Sequence, residues 1–132
     1  MNKGSISYEF AKDHVEKWVK GWNDHNLSVI MSSYAEELEF SSPKIRMILG
    51  DNRNNTIHSK GELNTYFSAG LERFPNLKFK IIGFTVGDNK FILEYSANLD
   101  GISLVNVVEK FEFQNELVIK SGVYYGIEQT PK

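Results

Sequence analysis

The sequence contains no cysteine. Disulfides, thiolate metal sites and a cysteine nucleophile are therefore excluded. It also lacks an excess of either charge: the net charge is −2, and Lys and Arg are scattered among Asp and Glu along the chain. A duplex nucleic-acid binder carries a basic patch or stripe, and none is visible, so no nucleic-acid partner is expected. No apolar run approaches the roughly 20 residues that span a bilayer. The N-terminal "MNKGSISYEF" has no apolar core of the secretory type. A cytoplasmic protein without a membrane partner is the expectation, and the glycosylation sequons at Asn26 and Asn54 carry no weight in that setting. Only three histidines are present, at His14, His25 and His58, and they are scattered. No metal site and no cofactor are expected from them.

What is present suits one ordinary domain spanning 1–132. The 41% hydrophobic content supports a core, and the 24% charged content is typical of a soluble chain. Val15, Trp18, Val19 and Trp22 recur at i, i+3, i+4 and i+7, one face of a helix, with Ser7 placed to cap its start. "NDHN" breaks that helix. Asn26 then caps a second, short one carrying Leu27, Ile30, Met31 and Tyr34. Gly21 sits inside the first pattern at a cost of roughly 1 kcal/mol of helix propensity. "ELEFSSP" switches to period 2 and ends at Pro43. "KIRMILG" reads as a further short strand and "DNRNNT" as a loop. Ser59 and Glu62 form the S-x-x-E pattern of a capping box, and Leu63, Tyr66, Phe67, Leu71 and Phe74 follow with helical spacing up to Pro75.

The second half reads as four strands, "NLKFKIIGFTV", "KFILEYSANL", "ISLVNVVEKFEF" and "LVIKSGVYYG", joined by short turns at Gly87–Asn89, Asp100-Gly101 and Gln114–Glu116. Short connections imply an antiparallel meander. Helices segregated from such a sheet define an α+β domain. The third strand contains an anomaly. Val105, Val107, Phe111 and Phe113 share the face expected to point inward, and Glu109 is on it. A lone buried carboxylate is costly, so it must find partners or take up a proton. Glu94 and Asn106 fall on the opposite, outer face.

The ordered segments "WVKGWNDHNLSVIMSSYAEELEFSSP", "HSKGELNTYF" and the four strands resemble the nuclear transport factor 2-like superfamily, in its SnoaL-like branch. The resemblance runs from about residue 8 to residue 126. Its most specific parts are Trp22-Asn23, Tyr34-Ala35, Ser42-Pro43 and Gly61. It implies a cone, in which a strongly curved, mainly antiparallel sheet wraps three helices and leaves an apolar pocket at its open end. It also implies frequent homodimers through the outer sheet face. It fixes no activity, because the family holds isomerases, dehydratases, cyclases, epoxide hydrolases and non-enzymatic modules.

Matched to the ketosteroid isomerase branch, the position of the tyrosine donor falls on Trp18. The position of the general base falls on Ser42, and that of the protonated second donor on Glu109. Trp18 offers an N–H and no acceptor. Ser42 is a poor base at neutral pH. Glu109 alone keeps the carboxyl chemistry and is the candidate catalytic residue. A His–Asp pair of the dehydratase type finds no support, since His14 lies one step off the apolar helix face. An Asp–Arg–Asp set is likewise absent, with Arg46 and Arg53 near a loop and no aspartates on a strand. The expected pocket residues are Trp18, Trp22, Tyr34, Ser42, Val107, Phe111 and Tyr125. Parity with Leu117, Ile119 and Val123 places Tyr125 inward, and Tyr124 outward. Two functions follow. One is binding of a small apolar or ring-containing molecule in the cone, with proton-transfer chemistry at Glu109. The other is a non-catalytic dimeric module acting through the outer sheet.

Overall fold

The computed structural model describes residues 5–50, 54–101 and 104–126. Residues 51–53, the first half of the expected Asp51–Thr56 loop and including Arg53, and the first two residues of "ISLVNVVEKFEF" lie outside them. The element order is α1 (Tyr8–Asn23), α2 (Leu27–Met31), β1 (Tyr34–Ser41), α3 (Ile45–Leu49), β2 (Thr56–Ser59), α4 (Lys60–Arg73), β3 (Lys78–Gly87), β4 (Lys90–Asn98), β5 (Leu104–Gln114) and β6 (Leu117–Tyr125). The fold is α+β, as the sequence pattern requires, with helices in the first half and a curved, unclosed sheet.

Three helix starts are written locally. Ser7 Oγ accepts from the Phe10 N–H at 3.0 Å, Asn26 Oδ1 from Val29 at 3.2 Å, and Ser59 Oγ from Glu62 at 3.2 Å. One element differs from expectation. "KIRMILG" forms α3 rather than a strand, with Ile45 fully buried and Ser42 Oγ accepting from the Lys44 N–H at 3.3 Å. Five residues are too few for periodicity to separate the two states. The strand that pairs with β1 is instead Thr56–Ser59, where Ile57 is buried.

The sheet order is β2-β1-β6-β5-β4-β3. β3 to β6 form the expected antiparallel meander, while β1 joins β6 in parallel and so brings the N-terminal half onto the sheet. The turns use left-handed backbone at Asp88 (φ 53°), Asn115 (φ 52°) and Gly101 (φ 85°). A register shift lies where Glu112 and Phe113 pair with Lys120 and Val118, so Ile119 is skipped. Such a bulge reverses the side-chain alternation along β6. Leu117 is exposed whereas Val118, Ser121 and Val123 are buried, and the inward parity argued from Leu117 and Ile119 is corrected accordingly.

The concave side of the sheet packs on α1 and α4. Gly21 lets α2 approach α1: a Cβ there would stand 3.1 Å from Val29 Cγ1 and 3.2 Å from Ile30 Cγ1. Asn23 ties the end of α1 to β3. Its Nδ2 donates to the Phe79 carbonyl at 2.9 Å, and its Oδ1 accepts from the Phe79 N–H at 2.7 Å. The side chain thus imitates a neighbouring strand. His14 corrects another expectation. It is 8% exposed and packs edge-on against Phe91, Phe111 and Phe113, with ring centroids 5.0–5.6 Å away. Neither of its ring nitrogens has a hydrogen-bond partner. Burial lowers its pKa to about 4, which keeps it neutral. Among the described residues, no helix is long and apolar enough to cross a membrane.

Candidate functional site

Glu109 is the centre of the site. β5 carries it to the concave face, where it is 2% exposed. Its two oxygens have separate donors. The Tyr95 hydroxyl donates to Oε1 at 2.9 Å and the Ser121 hydroxyl to Oε2 at 3.0 Å. The register explains both. Leu93 on β4 and Val123 on β6 stand directly opposite Glu109, and Tyr95 and Ser121 are each two residues further along those strands. No Lys or Arg pairs with this carboxylate among the described residues.

Burial raises the Glu109 pKa from its ordinary 4.5 to about 7, although the hydrogen bonds from Tyr95 and Ser121 pull the other way. The carboxyl therefore exchanges its proton in the neutral range. Each oxygen accepts one bond, and a carboxyl has further lone-pair capacity. A protonated Glu109 can thus keep both donors and still donate outward.

Phenols surround it. Tyr34 and Tyr95 are buried, and burial together with the Glu109 charge raises both pKa values. Tyr66 is pushed up to about 12, chiefly by burial, and Tyr125 is raised for the same reason. These hydroxyls stay protonated at neutral pH, and that of Tyr95 is the one that donates to Glu109. Ser42 Oγ lies 3.4 Å from the Tyr66 hydroxyl and accepts from the Lys44 N–H, so Ser42 is engaged within the protein and does not stand free as a base.

A cavity of about 60 Å³ opens beside Glu109, lined by Trp18, Trp22, Tyr66, Tyr95, Val107, Val123 and Tyr125 among others. A wider vestibule of about 300 Å³ adjoins it and shares Lys44, Phe74, Ala97, Leu99 and Tyr125 with it. Of the residues expected in a pocket, Trp18, Trp22, Val107, Glu109 and Tyr125 line the inner chamber. Tyr34, Ser42 and Phe111 do not. Phe111 is fully buried behind Trp18, with ring centroids 5.2 Å apart, and continues into the aromatic layer under His14. Tyr34 lies behind the indole of Trp18 and accepts its Nε1–H at 3.1 Å. The Trp18 donor, a candidate for holding a ligand oxygen, is consequently spent within the protein. The Trp22 Nε1–H is buried without a partner.

Sequence reasoning missed Tyr66, Tyr95, Ser121 and Lys44 as site residues. The parity of β4 places Tyr95 inward, the helical spacing of α4 places Tyr66 inward, and Ser121 shares the parity of Val123 and Tyr125, but nothing local marks any of the three as a neighbour of Glu109. Lys44 is hidden by the strand reading of its segment. Among the described residues no three His, Asp or Glu side chains converge on a point where a metal could sit.

The fold has known counterparts. A SnoaL-like protein of unknown function from Burkholderia thailandensis is 28% identical, with 92% of this chain and 99% of that chain covered at a TM-score of 0.81. A candidate ketosteroid isomerase from Kribbella flavida shares 12% identity, with 94% and 83% covered and a TM-score of 0.72. AclR, a candidate hydroxylase from Streptomyces galilaeus, shares 17% identity, with 91% and 81% covered and a TM-score of 0.70. At such identities the last two show the fold alone. No functionally curated protein matches significantly. The sequence profile of the SnoaL-like domain matches residues 15–120, and the chain belongs to the SnoaL-like domain family, with the nuclear transport factor 2-like cone as its architecture.

Proposed function

We propose that the protein binds a small, largely apolar, ring-containing molecule in the cone and exchanges a proton with it at Glu109. The observation that carries this reading is a carboxyl buried beside an apolar chamber, free of any cationic partner among the described residues, with its pKa brought to about 7. Perturbed carboxyls in clefts are characteristic of sites that do chemistry. In its protonated form Glu109 donates to a ligand oxygen. In its ionised form it accepts a proton from an acidic carbon or hydroxyl. The Trp22 ring also lines the chamber, and its buried N–H has no partner within the protein. Among the described residues that line the chamber Glu109 is the one carboxylate, so proton removal and return both fall to it. That limits the chemistry to one-group proton shuttling of the isomerase or cyclase kind.

The chamber, at about 60 Å³, is well below the roughly 150 Å³ of an engineered apolar cavity that holds benzene. A ring enters by displacing side chains at the mouth, and its remainder occupies the vestibule. A thermal-shift screen of ring compounds against the native chain and Glu109→Gln tests the reading. Ligands should stabilise the native protein, with affinity or turnover altered by the substitution. Unchanged affinity and turnover in Glu109→Gln sink it.

One feature favours a role for the outer sheet as well. Ile82, Ile92, Leu104 and Tyr124, on four successive strands, are 46–66% exposed. A homodimer through this face would cover them. Sedimentation decides the matter, since a monomer at micromolar concentration contradicts it.

A further inference from the structure

We propose that the molecule held in the cone is an anionic one, with its ring in the inner chamber and its anionic group in the vestibule between Lys44 and Arg73. This rests on the pocket reading above and adds the ligand's charge and orientation.

The two spaces differ in chemistry. The inner chamber is walled by Trp18, Trp22, Phe67, Val107 and Val123, and its polar features are phenol hydroxyls, the Glu109 carboxyl and, on the side shared with the vestibule, Lys44. A negative group there would lose its hydration and meet the Glu109 charge, so it is excluded from the inner end. The vestibule is different. Lys44 and Arg73 both line it, against Asp100 as the one carboxylate among its described lining residues. Lys44 reaches into both spaces.

The cations are also held in place. Lys44 Nζ stands 4.7 Å from the centre of the Tyr125 ring, and the Arg73 guanidinium carbon 6.0 Å from that of Phe74. Both rings form part of the wall shared by chamber and vestibule. Cation–π contact fixes a cation without consuming its N–H donors. Among the described residues neither Lys44 nor Arg73 forms an ion pair with a carboxylate. An ammonium and a planar guanidinium at the mouth of an otherwise apolar channel offer the donors that a carboxylate or similar anion takes up. Only one orientation satisfies both ends: ring inward, anion outward.

Calorimetric titration of the full chain with 2-naphthoate and with 2-naphthamide tests this. The two probes share a ring system and differ in charge. At low ionic strength the carboxylate should bind roughly tenfold more tightly than the amide, and the gap should shrink as salt rises. Arg73→Gln should weaken naphthoate several-fold and leave naphthamide unchanged, and Lys44→Gln should weaken naphthoate several-fold and naphthamide by much less. Arg73 is exposed and Lys44 half-buried, and neither belongs to the buried core. If the two probes bind alike and the substitutions move neither, the anion seat is wrong while the pocket reading stands. If neither probe binds, the pocket reading fails and takes the anion seat with it.

Discussion

Replacing Glu109 by Gln should change how stability depends on pH, and the structure sets the size of the effect. In the unfolded chain the carboxyl titrates near 4.5, whereas in the folded protein burial moves it to about 7. The folded pKa is the higher one, so the folded state keeps a proton that the unfolded state has released. The stability associated with this group is complete below pH 4.5, falls as pH rises, and is lost above pH 7. At 1.36 kcal/mol per pKa unit, the loss across that window is about 3 kcal/mol. For a domain of this size it corresponds to roughly 10 °C in melting temperature.

Glutamine keeps the shape and carries no titrating group. Its amide can satisfy Tyr95 and Ser121, because either hydroxyl can also accept. The amide adds a constant offset, and the slope is what discriminates. His14 complicates the raw curve. Its folded pKa of about 4 lies below its ordinary 6.5, so its contribution is present above pH 6.5 and lost as pH falls towards 4. Between pH 4.5 and 6.5 the two groups therefore oppose each other and flatten the native profile. Urea unfolding of the native chain and of Glu109→Gln, from pH 4 to pH 9, removes the His14 contribution by difference. The variant should gain about 3 kcal/mol on the native protein between pH 4.5 and pH 8. A difference that stays constant with pH would refute the buried, proton-exchanging carboxyl.

His14→Phe should remove the contribution that this imidazole loses in acid. The native chain should lose about 3 kcal/mol more than this variant as pH drops from 6.5 to 4, read by the same unfolding curves. Asn23→Ala removes two hydrogen bonds to the Phe79 backbone and should cost about 1–3 kcal/mol, with faster amide exchange at Phe79. Gly21→Leu forces a side chain into the 3.1 Å gap against Val29 and should destabilise by about 1–3 kcal/mol despite its better helix propensity, measured by thermal melting. Phe111→Ala should cost about 3–5 kcal/mol, because the ring is fully buried in the aromatic layer and lies outside the chamber.

Much of the fold was legible because its signals are local. Ser7, Asn26 and Ser59 cap the helices they announce, and Asp88, Asn115 and Gly101 take the left-handed backbone that the turns need. The alternation along β5 also placed Glu109 on the inner face without reference to any neighbour. What stayed hidden depends on partners distant in sequence. The bulge at Ile119 exists only because β5 and β6 pair out of step, and it decides that Ser121 meets Glu109. The α3 helix is set by packing of Ile45 rather than by five residues of pattern. His14 sits one step from the apolar stripe, yet the curved sheet reaches round far enough to bury it. Trp18 illustrates the same limit at the site. Its position on α1 could be read, but not that Tyr34 takes its only donor.

The most direct test of the proposed site is the titration of Glu109 itself. Carbon-13 NMR of the glutamate side-chain carboxyls, with Glu109 assigned by its loss in Glu109→Gln, follows the proton without relying on activity or a ligand. A midpoint near pH 7 is predicted. A midpoint near 4.5, the value of a solvated glutamate, would contradict the claim that this carboxyl is a buried proton-exchanging group beside an apolar chamber.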